Sequence, residues 1–204
     1  MKFLESLHAT ISQAQSLDIP EERKKVLQSL IDFIQDKIDS GEAVHLNFIC
    51  THNSRRSQFS QIWAQTAAAF YRIPAYCYSG GVEVTAFNDR AVASIRRSGF
   101  RVAQKGVDNP FYFVFYSEDE DPIAAFSKLY DDPINSKDNF AAVMTCAHAD
   151  ENCPFIPGAS ARIPVRYEDP KAFDDTPEEA SRYDERSLQI ASEMFYVFAN
   201  VSVK

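Results

Sequence analysis

The chain has 204 residues, of which 45% are hydrophobic and 25% charged, a composition typical of one soluble globular domain with a small extension. Its net charge of −8, from 29 acidic and 21 basic residues, argues against nucleic acid or an anionic membrane as a partner. No apolar stretch is long enough to cross a bilayer, and Glu5 and His8 interrupt the N-terminal segment where a signal peptide is apolar, so we expect a cytoplasmic protein.

The first part of the chain is predicted to form two helices. Apolar residues recur at helical spacing in residues 4–14 and again in residues 27–38, and Gly41 ends the second pattern. This segment carries no recognisable chemistry. We therefore assign residues 1–42 to an N-terminal helical extension, which packs against the rest of the chain or forms a dimer contact, and residues 43–204 to the main domain.

From Val44 onward, predicted strands alternate with predicted helices. The strand patterns occupy residues 44–50, 75–80, 111–117 and 140–146. Helical patterns follow residue 50, span 88–98, run from Pro122 to about Tyr130, and begin again near Asp175. Such alternation favours an α/β fold in which helices cover both faces of a parallel sheet. Ligands of these sheets bind beyond the carboxyl ends of the strands, where Cys50 and Cys146 lie.

Cys50 has the setting of a nucleophile. The chain has four cysteines, too few for a disulfide framework, so we expect free thiols. A thiol at a helix N-terminus beside arginine favours its thiolate form, and the backbone N–H groups of residues 51–56 can surround a tetrahedral oxyanion. Arg56 can bind that oxyanion through two donors, and Ser57 can donate to the Cys50 sulfur. The competing interpretation is a buried cysteine at a strand end with unrelated basic neighbours.

The segment "CTHNSRRSQ", between a predicted strand and a predicted helix, resembles the phosphate loop of the low-molecular-weight protein tyrosine phosphatases and of their thioredoxin-coupled arsenate reductase relatives. The residue sequence of the loop is closer to that of the reductases. The resemblance continues through residues 78–100 and 144–158 to "EDPKAFDDTPEE", and so covers about residues 44–200. It implies the low-molecular-weight phosphatase fold, with four parallel strands in the order 2-1-3-4 and helices on both faces.

The resemblance also implies roles for individual residues. Cys50 would be the nucleophile, Arg56 the oxyanion clamp, and Asp169 the general acid, although Asp-Pro is also common in turns. Ser57 would support the thiolate. The oxyanion-binding loop would comprise Thr51, His52, Asn53, Ser54 and Arg55, with Asn53 holding its conformation.

The loop departs from the family pattern in two places. His52 stands where the relatives usually have glycine, and it belongs to the residue types that tolerate a positive φ. Arg55 adds a second basic group. Gln61 stands where some arsenate reductases have a glutamate near a bound cation, so we expect no metal ion and no cofactor.

A second pair of cysteines distinguishes a reductase from a phosphatase. Cys146 and Cys153 have the spacing of the relay pair in the arsenate reductases. The resemblance implies that Cys146 attacks the Cys50–arsenic adduct and that Cys153 then takes over the disulfide. Thioredoxin or a similar thiol reductant would finally reduce that disulfide. The polar segment "AHADEN" between the two cysteines would have to loosen.

Three alternatives remain open at this point. A phosphatase in which Cys146 and Cys153 regulate Cys50 by disulfide formation is the main rival, with a phosphate ester as substrate. A zinc site of Cys146, His148 and Cys153 is the weakest, because its spacing is not a familiar one. An idle oxyanion sensor would require the loss of Cys50 or Arg56, and both are present. The preferred function is thioredoxin-coupled arsenate reduction.

Overall fold

The computed structural model describes residues 1–152 and 155–203. Its α-helices are α1 His8–Ser16, α2 Glu21–Asp39, α3 Arg56–Tyr71, α4 Asp89–Arg97, α5 Ala147–Asn152 and α6 Glu179–Ala199. Its strands are β1 Val44–Cys50, β2 Ala75–Gly81, β3 Arg101–Lys105, β4 Phe111–Phe115, β5 Ile123–Ala125, β6 Phe140–Met144 and β7 Ala159–Pro164. Short 3₁₀ helices cover Glu5–Leu7 and Pro170–Phe173.

The main sheet contains four parallel strands in the order β2-β1-β6-β7. Counted within this sheet, the order is 2-1-3-4, so the predicted fold class is confirmed. The inner strand β6 is buried along its whole length and β1 almost so, which explains why both read as apolar runs. Helix α3 packs against β1 and β2. The fourth strand of the sheet is β7, which the sequence patterns did not single out.

A second, antiparallel sheet with the order β3-β4-β5 lies outside this framework. The predicted strand at 111–117 is β4 of this sheet and not a strand of the parallel one. The helix predicted from Pro122 to about Tyr130 is wrong, because residues 123–125 pair with β4 as a strand. Their buried side chains, Ile123 and Ala125, alternate along the strand, and tertiary pairing overrode a short pattern that fits either structure.

The other helical predictions agree with the structure to within a few residues. Asn88 caps α4, where its Oδ1 accepts hydrogen bonds from the N–H groups of Arg90 and Ala91. Gly99 follows α4 with a φ of +105°. Helix α6 begins at Glu179, a few residues later than predicted, after a turn in which Asp175 has a φ of +61°.

The N-terminal helices share one hydrophobic core with the main sheet. Leu7, Leu27 and Ile34 belong to the same buried cluster as Leu46 of β1 and Phe198 of α6. An ion pair reinforces this packing, because the Arg23 guanidinium makes two hydrogen bonds of 2.8 Å to the Glu193 carboxylate. The side chain of Glu193 is only 3% exposed, so its charge depends on this partner.

We expect the Arg23→Met variant to lose about 3 kcal/mol of unfolding free energy, because it leaves the buried carboxylate of Glu193 without its ion-pair partner. Arg97→Met is the matched control, since the Arg97–Asp184 pair is about two-fifths exposed on both sides and should cost less than about 1 kcal/mol. Urea unfolding monitored by tryptophan fluorescence would measure both. Equal losses of unfolding free energy in the two variants would mean that the buried ion pair contributes no more to stability than the exposed one.

Candidate active site

Cys50 lies at the carboxyl end of β1, and the loop 51–55 carries the chain from there into α3. Its side chain is buried, with 3% exposure. The loop fits closely against the end of the neighbouring strand. A Cβ atom on Gly81 would lie 2.8 Å from both the Asn53 nitrogen and the Thr51 carbonyl oxygen, so glycine is required there.

The carbonyl groups of the loop are turned outward and are hydrogen-bonded. The donors are Val82 N and Glu83 N to Thr51 O at 2.9 Å each, Ser127 Oγ to His52 O at 2.8 Å, and Asn88 N to Ser54 O at 3.0 Å. Within the described part of the chain, no group accepts a hydrogen bond from the N–H groups of residues 51–55. Unused N–H groups at a strand-to-helix turn form an anion-binding concavity.

A chain of hydrogen bonds supports the Cys50 sulfur. Asn53 Nδ2 donates to Ser57 Oγ at 2.8 Å, and Ser57 Oγ lies 3.1 Å from Cys50 Sγ. Because the Ser57 oxygen already accepts from Asn53, its own proton is free to point at the sulfur. Such a donor stabilises a thiolate and later a departing sulfur. Asn53 itself has a φ of +46°, which an asparagine adopts more readily than most residues.

Arg56 and Asp169 face each other across the mouth of the loop. Arg56 Nη2 lies 2.7 Å from Asp169 Oδ2, and Arg56 Nη1 donates to the Tyr167 carbonyl at 3.2 Å. Asp169 also accepts from Lys171 N at 3.0 Å, which caps the short helix Pro170–Phe173. Its side chain is 30% exposed and therefore open to a substrate. The guanidinium is thus held beside both the loop and the carboxyl group.

Arg55 anchors the loop to helix α6. Its Nε donates to Tyr183 Oη at 2.8 Å, and its Nη2 lies 3.5 Å from Asp174 Oδ2. The Tyr183 hydroxyl donates to Asp174 Oδ1 at 2.7 Å, and burial together with this carboxylate raises the pKa of Tyr183 to about 12. The sequence placed Arg55 in the oxyanion loop but missed Tyr183 and Asp174, because no local pattern connects them to it.

His52 does not carry the unusual backbone conformation expected of it. The positive φ in the loop belongs to Asn53, one residue later. The His52 side chain is 45% exposed, and its Nδ1 lies 3.1 Å from Glu83 Oε2. The Ser54 side chain also contacts a residue outside the loop, because its Oγ donates a hydrogen bond to the Ala86 carbonyl at 2.7 Å.

Cys146 is the second thiol at this end of the sheet, and its side chain is 1% exposed. Thr51 Oγ1 lies 3.6 Å from Cys146 Sγ and 3.2 Å from His148 Nδ1. The Ala149 N–H donates to Cys146 Sγ at 3.4 Å. Cys146 therefore touches the residue that follows Cys50 in the chain.

Two other cysteines complete the set. Cys153 lies outside the described residues. Cys77 is buried in β2, where burial alone raises the pKa of its thiol far above the usual range. Among residues 1–152 and 155–203, no three His, Cys, Asp or Glu side chains are grouped so that they could hold a metal ion. In the same residues, no helix is long and apolar enough to cross a membrane.

Comparison with known proteins places this geometry in context. No protein-family model matches the chain. An arsenate reductase of Staphylococcus aureus strain Newman is 27% identical over 124 residues, which cover 60% of this chain and 76% of the relative. Arsenate reductase 2 of Staphylococcus epidermidis is 25% identical over the same shares.

A low-molecular-weight phosphotyrosine phosphatase from Vibrio cholerae O395 has a similar structure, with a TM-score of 0.51 and 13% identity over 76% of this chain and 94% of that one. That likeness concerns the fold, whereas the staphylococcal likeness concerns the sequence. The chain is therefore similar in sequence to arsenate reductases and in fold to a low-molecular-weight phosphatase, and the family resemblance predicted from the sequence is confirmed at that level.

Proposed function

We propose that this enzyme is a thiol-dependent arsenate reductase with Cys50 as its nucleophile and with Cys146 and Cys153 as its disulfide relay. The observation that carries the proposal is the second buried thiol. Cys146 Sγ lies 3.6 Å from Thr51 Oγ1, and so next to the residue that follows the nucleophile. A phosphatase does not need a thiol there, whereas a reductase does.

In the first step, the loop N–H groups and Arg56 hold the arsenate dianion while the Cys50 thiolate attacks arsenic. A sulfur–arsenic bond forms, and an arsenate oxygen leaves as water after taking up protons. Arsenic remains As(V) at this stage. Ser57 stabilises the thiolate before the attack through its contact of 3.1 Å with Cys50 Sγ.

In the second step, the Cys146 thiolate attacks the Cys50 sulfur. A disulfide forms between the two cysteines, and the electron pair of the sulfur–arsenic bond passes to arsenic, which leaves as arsenite, As(III). Cys153 then attacks Cys146 as a thiolate, which releases Cys50 and creates the Cys146–Cys153 disulfide. We propose thioredoxin, or a dithiol protein like it, as the reductant that supplies two electrons and closes the cycle.

Helix α5 must open during this relay. It fills the sequence between the two relay cysteines, Ala147–Asn152, and a helix of this length is about 9 Å long. The Cα atoms of a disulfide lie within about 7 Å of each other, so the helix has to unwind before the bond forms. Ion pairs of the buried Asp150 with Arg162 and Arg166 hold α5 against β7, which makes their rupture part of the motion.

A second candidate function is phosphate-ester hydrolysis, and Asp169 favours it. This carboxyl group is partly exposed at the mouth of the loop, beside Arg56, where a general acid could protonate a leaving alkoxide or phenoxide. In arsenate reduction the leaving group is instead an arsenate oxygen, which takes up protons and departs as water. Under this alternative, Cys146 and Cys153 would protect or regulate Cys50.

A disulfide map decides between the two functions. The fully reduced protein is exposed to arsenate, quenched with an alkylating reagent and mapped by mass spectrometry, with phosphate as the control oxyanion. We expect the Cys146–Cys153 disulfide to form with arsenate and not with phosphate, because only As(V) accepts two electrons from the thiols.

Two other outcomes would contradict the reductase. Thiols that stay reduced with arsenate, in a protein that still hydrolyses an aryl phosphate, would indicate a phosphatase. A disulfide that forms equally with arsenate and with phosphate would indicate oxidation unrelated to arsenate.

A further inference from the structure

Behind the oxyanion loop, a lysine is almost completely enclosed by the protein. Lys128 is only 3% exposed. Its Nζ lies 3.5 Å from Ser79 Oγ and 4.8 Å from the centre of the Phe126 ring. Among the described residues, no carboxylate lies within ion-pair distance of this ammonium group. Burying a charge with such weak partners is costly, and a methionine would fill the space without that cost.

The main chain of Lys128 joins the loop to the edge strand. Its N–H donates to Asn53 Oδ1 at 3.1 Å, and its carbonyl accepts from Gly81 N at 2.8 Å. Asn53 is the residue with the positive φ that also donates to Ser57. The backbone of Lys128 thus helps to hold the loop, and its ammonium group lies at Ser79 of β2.

The ammonium group belongs to a small polar cluster that reaches the loop. Ser79 Oγ, which accepts from Lys128, donates to Gln61 Oε1 at 2.6 Å and lies 3.5 Å from Gln58 Oε1. Gln58 Nε2 in turn donates to the Asn53 carbonyl at 2.9 Å. The buried positive charge is therefore linked to the loop that surrounds the oxyanion by a series of polar contacts of 2.9 to 3.5 Å.

We propose that Lys128 is a positioning residue whose ammonium charge, held beneath the oxyanion loop, strengthens the binding of the oxyanion dianion and keeps Cys50 ionised. This inference rests on the proposed oxyanion chemistry at Cys50. Asp132 favours the charged form of this ammonium, but no described carboxylate forms an ion pair with it, so the thiolate and the bound oxyanion would supply the remaining negative charge. Lys128 acts through the loop and does not touch the substrate.

The charge of Lys128 changes near physiological pH. Burial lowers the pKa of its ammonium group to about 8, and Asp132 opposes this decrease. A cavity of about 280 Å³ lies beside the side chain, and its other titratable lining groups are Tyr76, Cys77 and Tyr78 of β2 and Tyr116, Glu120 and Asp121 between β4 and β5. Burial raises the pKa values of Cys77, Tyr78 and Tyr116, so these three stay neutral at pH 8.

The pKa of Lys128 sets the direction in which oxyanion affinity should change with pH. Below pH 8 the ammonium is charged and supports the oxyanion. As the pH rises through about 8 the charge is lost, and the affinity for the oxyanion should fall.

The test measures the binding of inorganic phosphate by calorimetry, and the iodoacetate alkylation of Cys50 by mass spectrometry, from pH 6.5 to pH 9.5. Three variants are compared with the wild type. Lys128→Met removes the charge at similar volume, Lys128→Arg keeps it at every pH, and Lys105→Met removes an exposed charge on β3 as a control.

At pH 7 we expect Lys128→Met to bind phosphate about tenfold more weakly than the wild type and to lose most of the wild-type alkylation rate. The difference should vanish at pH 9.5, where the wild-type lysine is neutral. Lys128→Arg should keep its affinity above pH 8, and Lys105→Met should follow the wild type throughout.

Equal phosphate binding by Lys128→Met and Lys105→Met at pH 7 would overturn the proposal. If Lys128→Met does not fold, the comparison of the wild type with Lys128→Arg still decides, because a wild type that loses no affinity between pH 7 and pH 9.5 refutes it. Neither measurement requires arsenate turnover. A failed relay would therefore leave the result for Lys128 intact, whereas a protein that binds no oxyanion at all would end the proposed function first.

Discussion

Replacing Cys50 by serine should abolish both arsenate reduction and aryl-phosphate hydrolysis, each by at least about 10³-fold. A cysteine thiol is partly ionised at neutral pH and is strongly nucleophilic, whereas a serine hydroxyl needs a general base, and among the described residues the hydrogen-bonding partner at this position is Ser57, which is not one. The contacts that assist the thiolate, from Ser57 and from the loop N–H groups, cannot ionise a hydroxyl. The variant therefore loses the first covalent step of either reaction.

Serine is close to cysteine in size, so the loop should keep its shape and continue to bind phosphate. Steady-state rates with arsenate and with p-nitrophenyl phosphate, together with phosphate binding, would test this. Cys77→Ser provides the matched control, because it removes a buried thiol from β2 that lies away from the loop. A Cys50→Ser variant that still hydrolyses the aryl phosphate well above the uncatalysed rate would mean that the nucleophile lies elsewhere.

The second large effect concerns Cys146. Cys146→Ser should reduce multiple-turnover arsenate reduction by at least about 10³-fold, because without a second thiol the Cys50–arsenic adduct cannot be resolved. Aryl-phosphate hydrolysis should be unchanged, since water and not a thiol resolves the phosphoenzyme. The two activities are thus expected to separate in one variant.

The structure makes serine the right replacement at this position. Cys146 Sγ accepts from the Ala149 N–H and lies close to Thr51 Oγ1, and a hydroxyl can keep both contacts. A change in rate then reports on sulfur chemistry and not on packing. The measurement couples arsenate reduction to thioredoxin and its reductase, with Cys77→Ser again as the control. Unchanged arsenate turnover in Cys146→Ser would remove this cysteine from the relay.

Local patterns predicted three of the four strands of the parallel sheet, β1, β2 and β6, and the candidate nucleophile. Strand β1 alternates His45 and Asn47 with apolar neighbours, Asn88 and Gly99 bracket α4, and Cys50 is followed by small and polar residues before an apolar helix. Each of these signals depends on residues only a few positions apart, so the sequence displays them directly. The strand order 2-1-3-4 came from the family resemblance, which rests on the motif at Cys50 and on the matching segments after it.

The surroundings of the nucleophile were decided by tertiary structure. The short strand β5 reads as a helix until β4 pairs with it, since a three-residue apolar pattern fits both structures. Arg55 belongs to the predicted oxyanion loop, and no local pattern indicated that its side chain contacts Tyr183 of α6 and Asp174, more than a hundred residues away.

Lys128 is the clearest case of a residue whose surroundings local sequence patterns do not reveal. In the sequence it is an ordinary lysine between a serine and a leucine. In the fold it is buried behind Asn53, because β2 and the segment after β5 meet there. The sequence by itself determined the α/β framework and the choice of Cys50 as the candidate nucleophile, because propensity, capping and spacing are local. Only the tertiary structure decided which charges surround that cysteine, because burial and pairing depend on segments that are distant in the chain.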